Sequence, residues 1–118
     1  MVNIYRTILL VFMVMTSAYA YADIIGIVQK VVDGDTIHLT DDNGKLHKVR
    51  LLGIDAPEMD QSFGFESREM LVNLVEGERV IIEYRKKDRY KRILGKIYLD
   101  DIDVNLTMIS KGLAWHYK

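Results

Sequence analysis

Thr36-Ile37-His38-Leu39-Thr40, then Asp41-Asp42-Asn43-Gly44, then Leu46-His47-Lys48-Val49-Arg50-Leu51-Leu52 is the stretch that decides the fold. Two runs of strand-forming residues flank an Asn-Gly pair, the strongest short-range hairpin signal. A two-residue turn at Asn43-Gly44 sets Asp42 opposite Lys45, Ile37 opposite Arg50 and Asp35 opposite Leu52. Opposed residues share a face of the sheet, so Asp35 and Arg50 become diagonal neighbours about 7–8 Å apart at the backbone. The chain leaving Leu52 brings Asp55 just beyond Asp35. Two carboxylates and a guanidinium are therefore expected at one end of one hairpin.

Outward from the hairpin the pattern continues as short strands. Ile24 to Val32 is rich in β-branched residues and is punctuated by Asp33-Gly34. Gly53 to Gly64 contains the chain's one proline, Pro57, and reads as a loop. Phe65 to Val75 places Met70, Leu71, Leu74 and Val75 at helical spacing, with Gly77 as a stop. Arg79 to Tyr84 and Ile93 to Leu99 read as strands around a basic loop, Arg85 to Arg92. Val104 to Lys111 reads as a short helix stopped by Gly112. Local hairpins without strand–helix–strand alternation argue against a parallel doubly wound sheet. The expected fold is mainly β with short helices (α+β), a five-stranded barrel of the OB-fold type.

The 118 residues suit one domain with a modest core. The apolar fraction of 49% and charged fraction of 28% are ordinary for a globular chain and exclude disorder and collagen. There is no cysteine, which excludes a disulfide framework, a thiolate metal site and a cysteine nucleophile. Arg6, the apolar run Ile8 to Met15, and the small-x-small sequences Ala18-Tyr19-Ala20 and Ala20-Tyr21-Ala22 form the pattern of a secretory signal peptide. Residues 1–22 are thus expected to be a leader, and 23–118 the domain of a secreted or periplasmic protein. A membrane anchor is the competing reading, although the apolar core is shorter than the ~20 residues a span needs. Cleavage after Ala22 would remove one base, Arg6, and take the formal charge from −1 to −2.

Two clusters could carry chemistry. In the acidic one Asp35 and Asp55, with a nearby backbone carbonyl, offer hard oxygen ligands that suit Ca²⁺ or Mg²⁺, and Asp33 and Glu58 flank them. Zinc is disfavoured, because His38, His47 and His116 show no ligand spacing. Taken alone, Asp33-Gly34-Asp35 reads sooner as a plain turn, and Asp55-Ala56-Pro57-Glu58 sooner as a loop with acidic decoration, than as a site. The basic cluster, Arg85, Lys86, Lys87, Arg89, Lys91, Arg92 and Lys96, holds seven of the chain's 16 Lys and Arg, with Tyr84, Tyr90 and Tyr98 interleaved. Cations bind phosphates and aromatic faces stack on bases. A solvated loop is the bland alternative, made less comfortable by a net-acid chain that gathers its bases in one segment.

Taken together, Val31-Val32-Asp33-Gly34-Asp35-Thr36-Ile37, Arg50-Leu51-Leu52-Gly53-Ile54-Asp55-Ala56-Pro57-Glu58 and Asp88-Arg89-Tyr90-Lys91-Arg92-Ile93-Leu94-Gly95 closely resemble the thermonuclease (staphylococcal nuclease) family. The likeness runs in order over about residues 24–117, with Val104-Asn105 through Gly112-Leu113-Ala114 similar to its later segment. It implies a Ca²⁺-dependent endonuclease acting on DNA and RNA, single-stranded or locally open, and leaving 3′-phosphate ends. By the same resemblance Asp35, Asp55 and the Ala56 carbonyl would hold the metal, with Asp33 and Thr36 behind them. Arg50 and Arg92 would hold the scissile phosphate, Glu58 would activate water, and Arg89 and Tyr90 would touch a neighbouring phosphate and sugar. A monomer without a stable protein partner, free of the membrane once the leader is removed, is expected.

Three departures from the family pattern stand out. Lys91 occupies a position that is usually glycine, so a differently shaped Arg92 loop is expected, because a side chain resists positive φ. Trp115-His116-Tyr117 does not register onto the family's substrate-stacking tyrosines. The family domain normally continues into another helix covering the barrel, so a thinner core and lower stability are expected for a chain ending at Lys118. Two other functions compete: a non-catalytic OB-fold nucleic-acid-binding protein, and a membrane-anchored interaction module. A pure binder has no need of Asp35, Asp55 and Glu58, which repel phosphate unless a cation sits among them.

Overall fold

The computed structural model describes residues 23–117. The expected leader, residues 1–22, lies outside the described residues. The chain runs β1 (Ile24–Asp33), β2 (Thr36–Asp41), β3 (Leu46–Leu51), β4 (Ile54–Asp55), α1 (Gly64–Val75), β5 (Arg79–Lys87), β6 (Ile93–Leu99), β7 (Ile102–Asp103), α2 (Val104–Ser110) and β8 (Trp115–His116). Strands β1, β2 and β3 form an antiparallel meander, and β5 pairs antiparallel with both β1 and β6. A parallel pairing of β3 with β6 closes the circuit into a five-stranded barrel. Closure removes the open sheet edges that would otherwise invite pairing with another chain. Strand β1 reaches both neighbours because its register with β2 shifts between Val28 and Lys30 and again between Val31 and Asp33, and such irregularities bend a strand.

Period-two alternation fills the barrel. Ile37 and Leu39 from β2, Val49 and Leu51 from β3, Val28 and Val31 from β1, and Ile82 and Ile97 from β5 and β6 are all essentially inaccessible. Helix α1 caps this core with Leu71 and Val75, and α2 adds Val104 and Met108. Each such side chain contributes about 1.5–3 kcal/mol relative to exposure. The apolar spacing read in the sequence thus marks the helix faces that pack on the barrel.

The hairpin register differs from the sequence reading by one residue. Thr36 faces Arg50, Ile37 faces Val49 and Thr40 faces Leu46. The loop holds three residues, Asp42-Asn43-Gly44, with Gly44 at φ 83° and its amide donating to the Asp41 carbonyl at 2.9 Å. Asn-Gly satisfies this three-residue loop, which needs glycine in the left-handed position, as readily as the two-residue turn. The Asp41 carboxylate tips the choice by accepting the Asn43 and Lys45 amides, both at 2.9 Å. Strand β5 also runs on to Lys87, so Arg85, Lys86 and Lys87 of the expected basic loop are strand.

Candidate active site

Arg50, near the end of β3, is the hub of the acidic cluster. One terminal nitrogen donates to the carbonyls of Leu51 and Ile54, each at 2.8 Å, and so staples the turn that leads from β3 into β4. The other lies 3.2 Å from Asp35 Oδ2 and 3.3 Å from Asp55 Oδ1. Its guanidinium is half-buried and fixed on both edges, so little rotamer freedom remains to be lost when a ligand arrives.

Asp35 reaches Arg50 despite the register change because it sits in the turn between β1 and β2, outside the strict alternation. Its Oδ1 accepts from the Thr36 hydroxyl and its Oδ2 from the Ala56 amide, both at 2.9 Å. The Asp33 carboxylate in turn accepts the Asp35 amide at 3.1 Å. Gly34 permits this packing, since a Cβ there would collide with Ser67 Oγ on α1 and lie 2.8 Å from the Ala56 Cβ. Ser67 Oγ donates to the Leu113 carbonyl at 2.7 Å, tying the turn, α1 and the C-terminal segment together. Burial pushes the Asp33 carboxyl up to about 6, and the neighbouring Asp35 carboxyl, through its hydrogen bond and its charge, pushes in the same direction.

Arg92 stands on the loop between β5 and β6, which is organised by Asp88. The Asp88 Oδ1 accepts the amides of Tyr90 and Arg92 at 2.9 Å, and its Oδ2 accepts Arg92 Nε at 2.8 Å. Burial pushes the Asp88 carboxyl up, but the Arg92 amide, the Arg92 side chain and the Tyr90 amide together hold it below the usual carboxylate value. Lys91 stands in the left-handed region, φ 63°. The lysine therefore stays in a glycine-like conformation at a steric cost of about 1–2 kcal/mol, offset by the loop's hydrogen bonds. Exposed Tyr90 lies between two guanidiniums, with Arg89 at 5.0 Å and Arg92 at 5.4 Å from its ring centre.

The barrel closure brings these pieces together. Pairing of β3 with β6 sets Arg50 opposite Leu94, two residues after Arg92. A cleft of about 520 Å³ opens there, lined by Arg50, Asp55, Lys86, Asp88, Arg92 and Tyr117 together with the turn of residues 51–54. Tyr117 arrives through the β4–β8 pairing, in which Asp55 faces Trp115, and through its own amide bond to the Gly53 carbonyl at 2.7 Å. Of the residues expected from sequence, Asp33, Asp35, Thr36, Arg50, Asp55 and Ala56 form one contiguous group, and Arg92 joins it across the cleft. Glu58 lies exposed on the following loop, outside the residues that line the cleft. Its amide is accepted by Gln61 Oε1 at 2.8 Å. Arg89 and Tyr90 are exposed on the Arg92 loop and are not among the residues that line the cleft.

Sequence reasoning missed Asp88 as an organiser, Lys86 and Tyr117 as cleft residues, and Asn105. Buried Asn105 accepts from the Ile97 amide at 3.1 Å and donates to the carbonyls of Leu52 at 2.9 Å and Gly95 at 3.2 Å. It anchors α2 to the base of the Arg50 turn. The four-residue spacing of Asp88 and Arg92 was a usable local signal; Asn105 had none.

Asp35, Asp55 and the Ala56 carbonyl supply hard oxygen donors, which suit Ca²⁺ or Mg²⁺ and not zinc. Among the described residues no group of three or more His, Asp or Glu side chains forms a ready-made cage.

The sequence model of the family described as "Staphylococcal nuclease homologue" matches residues 48–118. An Escherichia coli protein named "Uncharacterized endonuclease" is 46% identical over 98 residues, covering 82% of this chain and 63% of its own length. A Haemophilus influenzae protein of the same name is 38% identical over 112 residues, covering 95% and 62%. The "Micrococcal nuclease" of Shigella flexneri is 34% identical over 122 residues, covering 96% and 70%. The chain thus spans a little under two thirds of the length of the first two relatives.

Proposed function

We propose, from the premise that the chain belongs to the staphylococcal nuclease homologue family, that it is a Ca²⁺-dependent endonuclease that hydrolyses phosphodiester bonds of DNA and RNA to leave 3′-phosphate ends. The observation that carries this reading is the convergence of Arg50, Asp55 and Arg92 on one cleft, with Asp35 fixed behind Arg50. Attack on a phosphodiester loads negative charge onto the non-bridging oxygens, and two guanidinium forks from different elements can stabilise that charge in two directions. Arg50 is already oriented by the turn carbonyls, and Arg92 by Asp88. A phosphate entering between them would compete with Asp55 for Arg50.

Asp35, Asp55 and the Ala56 carbonyl would hold Ca²⁺, which supplies positive charge to the phosphate and acidifies nearby water. Glu58 would take the proton of the attacking water. Because its loop lies outside the cleft walls, this role calls for the exposed side chain to swing toward the substrate. Residues 1–22 are read as an export leader, on Arg6, the apolar run and the Ala-x-Ala sites. End-group analysis tests the reaction class. Products of both DNA and RNA should resist polymerase extension until a phosphatase removes the terminal phosphate. Directly extendable 3′-hydroxyl ends would overturn it.

A further inference from the structure

A second groove lies beside the first, and nothing in the cleavage chemistry uses it. It has a volume of about 490 Å³ and runs between β3 and the β5–β6 hairpin. Lys45, Lys48, Lys87 and Lys91 line it together with Tyr84 and Tyr90, and no carboxylate is among its walls. On a chain of net charge −1, four exposed ammonium groups gather positive charge around one depression, and the nearby Asp41 carboxylate is paired with His47 at 2.7 Å. A smaller depression lined by Lys48, Tyr90 and Arg92 bridges the groove to the cleft. The cleft and the bridge share Arg92, and the bridge and the groove share Lys48 and Tyr90, so the three depressions lie side by side along one track.

Lys91 adds an independent observation. A non-glycine residue at φ 63° carries steric strain, and strained residues persist where surrounding structure and use retain them. Its side chain stands at the groove. A glycine would relieve the strain and remove the cation.

We infer that this groove binds the single strand flanking the scissile phosphate, with Lys45, Lys48, Lys87 and Lys91 on successive phosphates and Tyr84 and Tyr90 as stacking faces for bases. Charge complementarity and continuity with the cleft select a polynucleotide strand as the occupant. Ammonium groups on flexible stems neutralise phosphates without reading sequence, and aromatic faces accept any base. The track therefore favours longer substrates over short ones with little preference for sequence. The inference rests on the nuclease reading only for what occupies the cleft.

Binding measured in chelator, where metal-dependent cleavage is silent, separates the two readings. Fluorescence anisotropy of the full chain with a single-stranded 3-mer and a 12-mer reads the groove directly. The wild type is expected to bind the 12-mer at least ~10-fold more tightly than the 3-mer. Lys45→Ser/Lys87→Ser should shrink that advantage to ~3-fold or less and flatten the log–log salt dependence by about 1.4, at about 0.7 per lost phosphate contact. Both lysines are exposed, and a circular dichroism melt confirms that the variant folds. A 12-mer advantage unchanged in the folded variant, or absent in the wild type, overturns the groove even if the protein cleaves. Length-dependent binding lost in the variant upholds it even if no cleavage occurs.

Discussion

Asp88 holds Arg92 at three points. The Asp88 amide donates to the Arg92 carbonyl at 2.9 Å, the Arg92 amide donates to Oδ1 at 2.9 Å, and Arg92 Nε donates to Oδ2 at 2.8 Å. The loop that carries Arg92, the second guanidinium proposed to bind phosphate, is thus closed by a single residue, through both its backbone and its carboxylate. Its side chain is 15% exposed but near the surface, so solvent screens the charge term and the hydrogen bonds do most of the fixing. The folded carboxyl is held below its unfolded value near 3.9. Its contribution is therefore complete above about pH 4 and is lost as pH falls through the folded value. The protection factors of the Tyr90 and Arg92 amides, referenced to the intrinsic exchange rate at each pH, are expected to fall as pH drops below 4 and before the barrel melts. Asp88→Ala, which removes both carboxylate oxygens, should lower protection at the same two amides already at neutral pH, and unchanged protection there would refute the arrangement.

Lys91→Gly should stabilise the protein. Removing the Cβ from a left-handed position relieves about 1–2 kcal/mol of steric cost, part of which returns as lost chain entropy. A net gain of about 0.5–1 kcal/mol, or roughly 3–6 °C in Tm, is expected by calorimetry. A lower Tm would show that the lysine side chain contributes more than its backbone strain costs.

Arg92→Lys keeps the charge and removes the fork. Lysine cannot reproduce both the Nε bond to Asp88 and a bidentate grip on phosphate. Steady-state kinetics should show kcat lower by about 100-fold or more, the scale of losing one preorganised donor. Near-normal turnover would count against a clamp between Arg50 and Arg92.

Asn105→Ala should be costly although the residue lies away from the cleft walls. It strands the buried Ile97 amide and deprives the Leu52 carbonyl of its donor. About 2–4 kcal/mol of stability should disappear in denaturant unfolding. Asn105→Asp retains the acceptor for Ile97 and loses the donors, so it should not restore the wild-type midpoint.

Much of the barrel was legible because its signals are local. The alternation through Ile37, Leu39, Val49 and Leu51 and the helical spacing of Leu71 and Val75 fix faces without knowledge of partners. The hairpin register was misread because Asn-Gly serves two loop lengths, and the Asp41 carboxylate that selects between them is visible only once its two amide bonds form. The acidic group survived the error because Asp35 lies in a turn, where its direction follows from the Ala56 and Thr36 bonds. Asn105, the Gly34–Ser67 contact and the placement of Tyr117 by the β4–β8 pair depend on residues tens of positions apart. No spacing rule in one sequence announces such contacts.

The cleft was proposed as a metal-dependent phosphodiesterase site, and that claim meets its most direct test in the rate at which the purified protein cuts single-stranded DNA. The rate is measured with Ca²⁺ and with chelator, beside Glu58→Ser. The account predicts cleavage with Ca²⁺, none with chelator, and a rate about 100-fold or more lower for the variant. Strand binding without any Ca²⁺-dependent cleavage would contradict it and leave a nucleic-acid-binding barrel.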